Sequence, residues 1–116
     1  MMRAAKEAAN ESAAQAGVKA PVVIGVTLLT SIDPATLNSE LTVPGTPAEF
    51  VERMAVLAKE SGLDGVVASP HEIEIIRRAC GQDFLIVTPG VRPAGADVGD
   101  QKRVMTPGEA ISKGAD

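Results

Sequence analysis

The 116-residue chain has almost no aromatic or thiol chemistry: no tryptophan, no tyrosine, two phenylalanines, one histidine and one cysteine. A single cysteine, Cys80, excludes an internal disulfide and fits a reducing compartment. The lack of Trp and Tyr argues against stacking platforms for single-stranded nucleic acid. Cations are short as well. Eleven basic residues against 15 acidic ones give a formal net charge of −4, without the basic footprint that a phosphate backbone requires. No apolar run approaches the roughly 20 residues of a membrane-spanning helix; the longest is Pro21 to Leu29. Arg3, Lys6 and Glu7 put charge where a signal peptide needs an apolar segment. Asp64, Asp97 and Asp100 have no paired spacing that suggests a metal site. The expectation is a soluble cytoplasmic protein with neither a membrane nor a nucleic-acid partner.

What is present is aliphatic. Hydrophobic residues make up 45% of the chain, so a core must be built from Val, Ile, Leu, Ala and Met, as in a parallel sheet buried on both faces. The length suits one modest domain spanning 1–116. Residues 2–16 are Ala-rich with interspersed charges and predict a helix closed by Gly17. Val22 to Leu28 is a β-branched run and reads as a buried strand. Asp33-Pro34 can cap a short helical turn.

Three Ser/Thr-Pro-x-Glu strings, at Thr46, Ser69 and Thr106, read as capping boxes with proline at the first helical position. The helix after Thr46 carries Phe50, Met54 and Leu57 at spacings of 4 and 3, with Val51, Ala55 and Ala58 beside them. Gly65 to Ala68 and Phe84 to Thr88 read as two further strands. Helices alternating with strands predict an α/β fold of parallel strands with right-handed crossovers. Gly114-Ala115-Asp116 resembles the approach to a fourth strand.

The third strand leads into Thr88-Pro-Gly-Val-Arg-Pro93 and a long polar loop holding Gln101, Lys102 and Arg103. That places flexible backbone and anion-reading side chains past the carboxyl end of a strand, where parallel α/β folds bind ligands. A connector from Pro89 to Met105 is longer than most, which favours a functional lid or a disordered segment.

Val26-Thr-Leu-Leu-Thr-Ser31, Gly62-Leu-Asp-Gly-Val-Val-Ala-Ser-Pro70, and Val87-Thr-Pro-Gly-Val-Arg-Pro-Ala94 with Asp100-Gln-Lys-Arg-Val-Met-Thr-Pro107 resemble the bacterial orotidine 5′-phosphate decarboxylases, in order and over essentially the whole chain. The resemblance implies a (β/α)8 TIM barrel that works as a homodimer and converts orotidine 5′-phosphate (OMP) to UMP and CO2 with no metal or organic cofactor. It implies that this chain is a fragment of one barrel: strands five to seven with their helices, missing the first four strands and the last. By the same resemblance Thr30 contacts the pyrimidine ring, while Arg92 and Gln101 contact the phosphate end. The family's catalytic Asp-x-Lys-x-x-Asp motif and the Gly-Arg pair of its last strand have no counterpart in this sequence. No catalytic residue is therefore assigned, and the fragment is expected to be inactive.

The residues on their own also admit plainer roles. Thr30 can simply end a strand, and Arg92 and Gln101 can be solvated loop residues. Lys102 and Arg103 read as solvated or structural, His71 as a surface residue in the first turn of a helix, and Cys80 as a small buried hydrophobe. Two other functions remain open: a related phosphate-sugar barrel enzyme such as a hexulose-phosphate synthase relative, or a non-catalytic half-barrel acting as a binding or assembly module.

Overall fold

A computed structural model describes residues 1–93 and 105–116. Helix α1, Met2–Ala16, ends at Gly17 in the left-handed conformation (φ 67°), the geometry for which glycine carries no Cβ penalty. Strand β1, Ile24–Val26, leads to the short helix α2, Pro34–Ser39, whose cap Asp33 accepts a hydrogen bond from the Thr36 N–H at 2.8 Å. Helix α3, Pro47–Glu60, and helix α5, Pro107–Ser112, both start with complete capping boxes, at Thr46/Glu49 and Thr106/Glu109. Between them lie β2 (Gly65–Val67), a 3-10 turn (Pro70–Glu72), α4 (Ile73–Cys80) and β3 (Leu85–Val87).

The three strands form one parallel sheet in the order β1-β2-β3. Its register sets Ile24 beside Gly65 and Leu85, Gly25 beside Val66 and Ile86, and Val26 beside Val67 and Val87. The pairing demands glycine at 65, where a Cβ would stand 2.3 Å from the Leu85 carbonyl oxygen. Val66 and Ile86 are fully buried in a core shared with Val51, Ala55 and Ala58 of α3 and Ile73 and Ile76 of α4. On the opposite face Val26 and Val87 remain 63% and 45% exposed.

Three expectations need correction. The buried stripe of α3 runs through Val51, Ala55 and Ala58. Phe50 and Met54 lie at its margin, and Leu57 is 43% exposed. Small residues let the helix axis approach the sheet and α4, so the alanines lie innermost although larger side chains are adjacent. The Ser69 string does not form a capping box. The tighter 3-10 turn brings the His71 N–H to Ser69 Oγ, and Glu72 is buried at 4% exposure. The strands are also shorter than the apolar runs suggested, because only Ile24–Val26 and Leu85–Val87 keep ladder partners.

At the amino end of the sheet one clasp occurs twice. The Asp64 N–H donates to the Val23 carbonyl at 2.9 Å, and the Val23 N–H donates to Asp64 Oδ2 at 2.6 Å. Asp116 repeats this against Ile86, at 3.0 and 2.8 Å. Each carboxylate also takes a cation, Lys6 at 2.6 Å and Arg77 at 2.5 Å. The Lys6 ammonium, with the Val23 N–H behind it, holds the Asp64 carboxyl below its ordinary range. Asp116 thus meets β3 much as Asp64, the residue before β2, meets the start of β1.

The radius of gyration is 15.5 Å, against about 13 Å for a compact chain of this length. An open sheet face and the outer edge of β1 both invite pairing with another chain. The chain by itself is therefore expected to self-associate. Light scattering at rising concentration checks this, and a monomer that persists with a cooperative melt contradicts it.

Candidate functional site

The three strands point their carboxyl ends the same way, so the segments leaving β1, β2 and β3 gather at one end of the sheet. A hollow of about 280 Å³ lies there, lined by Val26, Leu28, Leu29, Thr30, Ser31, Val67 and Pro89. Its wall is apolar where the Val26–Val67 row ends, and its polar groups come from Thr30 and Ser31. Leu28 is buried and Thr30 is only 5% exposed, which seats the hydroxyl-bearing residue firmly at the mouth of β1. Ser69, fully buried, follows β2 by two residues and caps the 3-10 turn. Ser31 and Pro89 carry no sequence signal as lining residues, since each stands just past a strand end and reads as a connector.

Arg92 follows the same exit from β3. Its backbone N–H donates to the Met105 carbonyl at 2.9 Å, and its Nη1 donates to the Val91 carbonyl at 2.9 Å. Among the described residues that carbonyl is the only side-chain partner of Arg92. A guanidinium has five donors in a planar fork, the geometry that reads an anion. The structure thus brings Thr30 and the β3 exit to one end of the sheet, with Arg92 beyond the hollow's lining. Gln101, like Asp97, Asp100, Lys102 and Arg103, lies outside the described residues.

A larger hollow, about 680 Å³, lies at the amino end among Val22, Lys59, Asp64, Cys80, Asp83 and Phe84. Two of its charged groups are already committed: Lys59 Nζ donates to the Cys80 carbonyl at 2.8 Å, and Asp64 is clasped by Lys6. Cys80 is buried, and burial pushes its thiol up, away from nucleophilic chemistry at neutral pH. His71 is exposed, as expected. Among the described residues no cluster of three metal-ligating side chains occurs, and no helix is long and apolar enough to cross a membrane.

The family profile described as "Orotidine 5′-phosphate decarboxylase / HUMPS family" matches residues 1–116. The chain is 57% identical over 115 residues to an orotidine 5′-phosphate decarboxylase of Moorella thermoacetica, covering 99% of this chain and 46% of that protein. It is 53% identical to one of a Nostoc species, covering 99% of this chain and 48% of the relative. The fold superposes on a crystal structure of orotidine 5′-phosphate decarboxylase from Lactobacillus acidophilus with a TM-score of 0.80 at 37% identity, over 99% of this chain and 46% of that one. The chain spans about half the length of the curated relatives it matches. Matched from end to end, with the strand order and the strand-exit motifs in place, the chain belongs to the orotidine 5′-phosphate decarboxylase / HUMPS family.

Proposed function

We propose that this chain supplies part of the substrate-binding shell of an orotidine 5′-phosphate decarboxylase, a carboxy-lyase of pyrimidine biosynthesis that converts OMP to UMP and CO2. One observation carries the reading: in a chain that matches this family throughout, one end of a parallel sheet holds Thr30 in a small hollow at the exit of β1 and Arg92 at the exit of β3. In this reading β1, β2 and β3 are strands five, six and seven of a (β/α)8 barrel, and residues 1–116 are one piece of a single barrel domain. The barrel works in the cytoplasm as a homodimer, without metal or organic cofactor.

Thr30 offers hydroxyl and backbone groups to the edge of the pyrimidine, whose pattern of donors and acceptors needs such partners. Arg92 presents a fork to the phosphate dianion, with Gln101 beside it. The proton that replaces CO2 at C6 must come from elsewhere, because this chain lacks the family's Asp-x-Lys-x-x-Asp motif. Its own contribution is remote: binding energy from the phosphate and the base is used at the reacting carbon.

The test is a chimera in which this chain replaces the matched segment of the Moorella thermoacetica protein. The chimera is expected to decarboxylate OMP within roughly tenfold of its parent's kcat/KM. The isolated chain is expected to leave OMP absorbance unchanged at every concentration. A folded but inactive chimera, or turnover that scales with the isolated chain, overturns the assignment.

A further inference from the structure

β3 ends at Val87, yet the chain beyond it is pinned once more. Val91 and Met105 form an isolated parallel bridge, with the Arg92 N–H on the Met105 carbonyl. Both side chains are half-buried and pack against the core. Met105 is held from its other side as well, because the capping box that starts α5 begins at the next residue. The Thr106 N–H donates to Glu109 Oε2 at 3.0 Å, and the Glu109 N–H donates to Thr106 Oγ1 at 3.3 Å.

Arg92 is thus fixed at two points, its backbone by Met105 and its guanidinium by the Val91 carbonyl. An arginine on a free loop would lose its rotamer freedom on binding an anion. One fixed in advance loses less, and the difference appears as affinity.

We propose that the Val91–Met105 bridge sets the position of the Arg92 guanidinium, and that Met105 is a positioning residue for the phosphate end of the substrate. The inference rests on the reading of Arg92 as a phosphate contact. Met105 touches no substrate; it acts through the carbonyl that holds the Arg92 N–H and through the side chain that seats that carbonyl in the core.

The experiment uses the chimera with OMP and with orotidine, which lacks the phosphate. Met105→Gly removes the seat and frees the backbone. The kcat/KM for OMP is expected to fall about tenfold, while orotidine turnover is expected to stay within about twofold. Val91→Gly, on the other side of the bridge, should reproduce this split, and Met105→Leu, which keeps the seat, should behave as the parent chimera. In the Arg92→Ala background Met105→Gly should add no further loss, since the group it positions is gone. Equal losses on both substrates, or a loss that adds in full to that of Arg92→Ala, makes Met105 merely structural and overturns the proposal. If Arg92→Ala itself shows no phosphate-specific loss, the phosphate reading falls first. If Arg92→Ala shows it and neither glycine variant does, only the positioning role is lost.

Discussion

Truncating Arg92 to alanine in the active chimera is expected to lower kcat/KM for OMP about tenfold to a hundredfold while leaving orotidine turnover almost unchanged. A hydrogen bond to a charged group is worth about 1.5–3 kcal/mol, and each 1.4 kcal/mol is a factor of ten in kcat/KM. Among the described residues the Arg92 guanidinium spends one donor on the Val91 carbonyl, out of the five a guanidinium carries. The contrast between substrates is the measurement. A folding defect lowers both rates together, whereas loss of a phosphate contact appears only where a phosphate is present. Arg92→Lys keeps the charge without the planar fork and should recover part of the loss. Equal losses on OMP and orotidine would return Arg92 to a solvated-loop role.

Arg77→Met is expected to be the most damaging single change to stability. The sequence marks Arg77 only as a polar residue in the last turns of α4. In the structure its side chain is 9% exposed and joins three segments. Nη1 donates to the carbonyls of Gly81, Gln82 and Phe84, at 3.2, 3.0 and 2.5 Å. Nε and Nη2 donate to the Gly114 carbonyl at 2.9 and 2.7 Å, and Nη2 also reaches Asp116 at 2.5 Å. Methionine fills the stem's space but leaves these acceptors and the Asp116 carboxylate without their cation. Breaking such a set costs about 3 kcal/mol or more. In a chain of the chimera's size that lowers the melting temperature by roughly 6–12 °C, read by calorimetry. Gly114→Ala should show a smaller loss at the same junction: its φ is +102° and the new Cβ would stand 3.3 Å from Arg77 Nε. A melting temperature within about 2 °C of the parent after Arg77→Met would remove Arg77 as the junction of α4, β3 and the residues after α5.

How much of this was legible follows from how far each signal travels along the chain. Caps act over three or four residues, so Asp33, Thr46 and Thr106 announced α2, α3 and α5, and Gly17 announced the end of α1. Alternating apolar runs and amphipathic segments announced a parallel α/β order, and the strand-exit strings announced the family. The binding roles proposed for Thr30 and Arg92 rest on those strings, because a threonine after a strand and an arginine in a loop have no local signature of binding by themselves.

The tertiary structure alone decided which contacts close across many residues. It chose Val51, Ala55 and Ala58 over Leu57 as the inner stripe of α3, since close approach to the sheet rewards small side chains and no periodicity reports that distance. It turned Ser69 to the cap of a 3-10 turn, with Glu72 drawn into the interior. The clasps of Asp64 and Asp116, the reach of Arg77, and the bridge that seats Arg92 against Met105 all join residues brought together by strand pairing. Sequence fixes the pieces because their hydrogen bonds are local. Which side chain meets which carbonyl across the sheet depends on register and on the close packing of layers, and these exist only once the strands have paired.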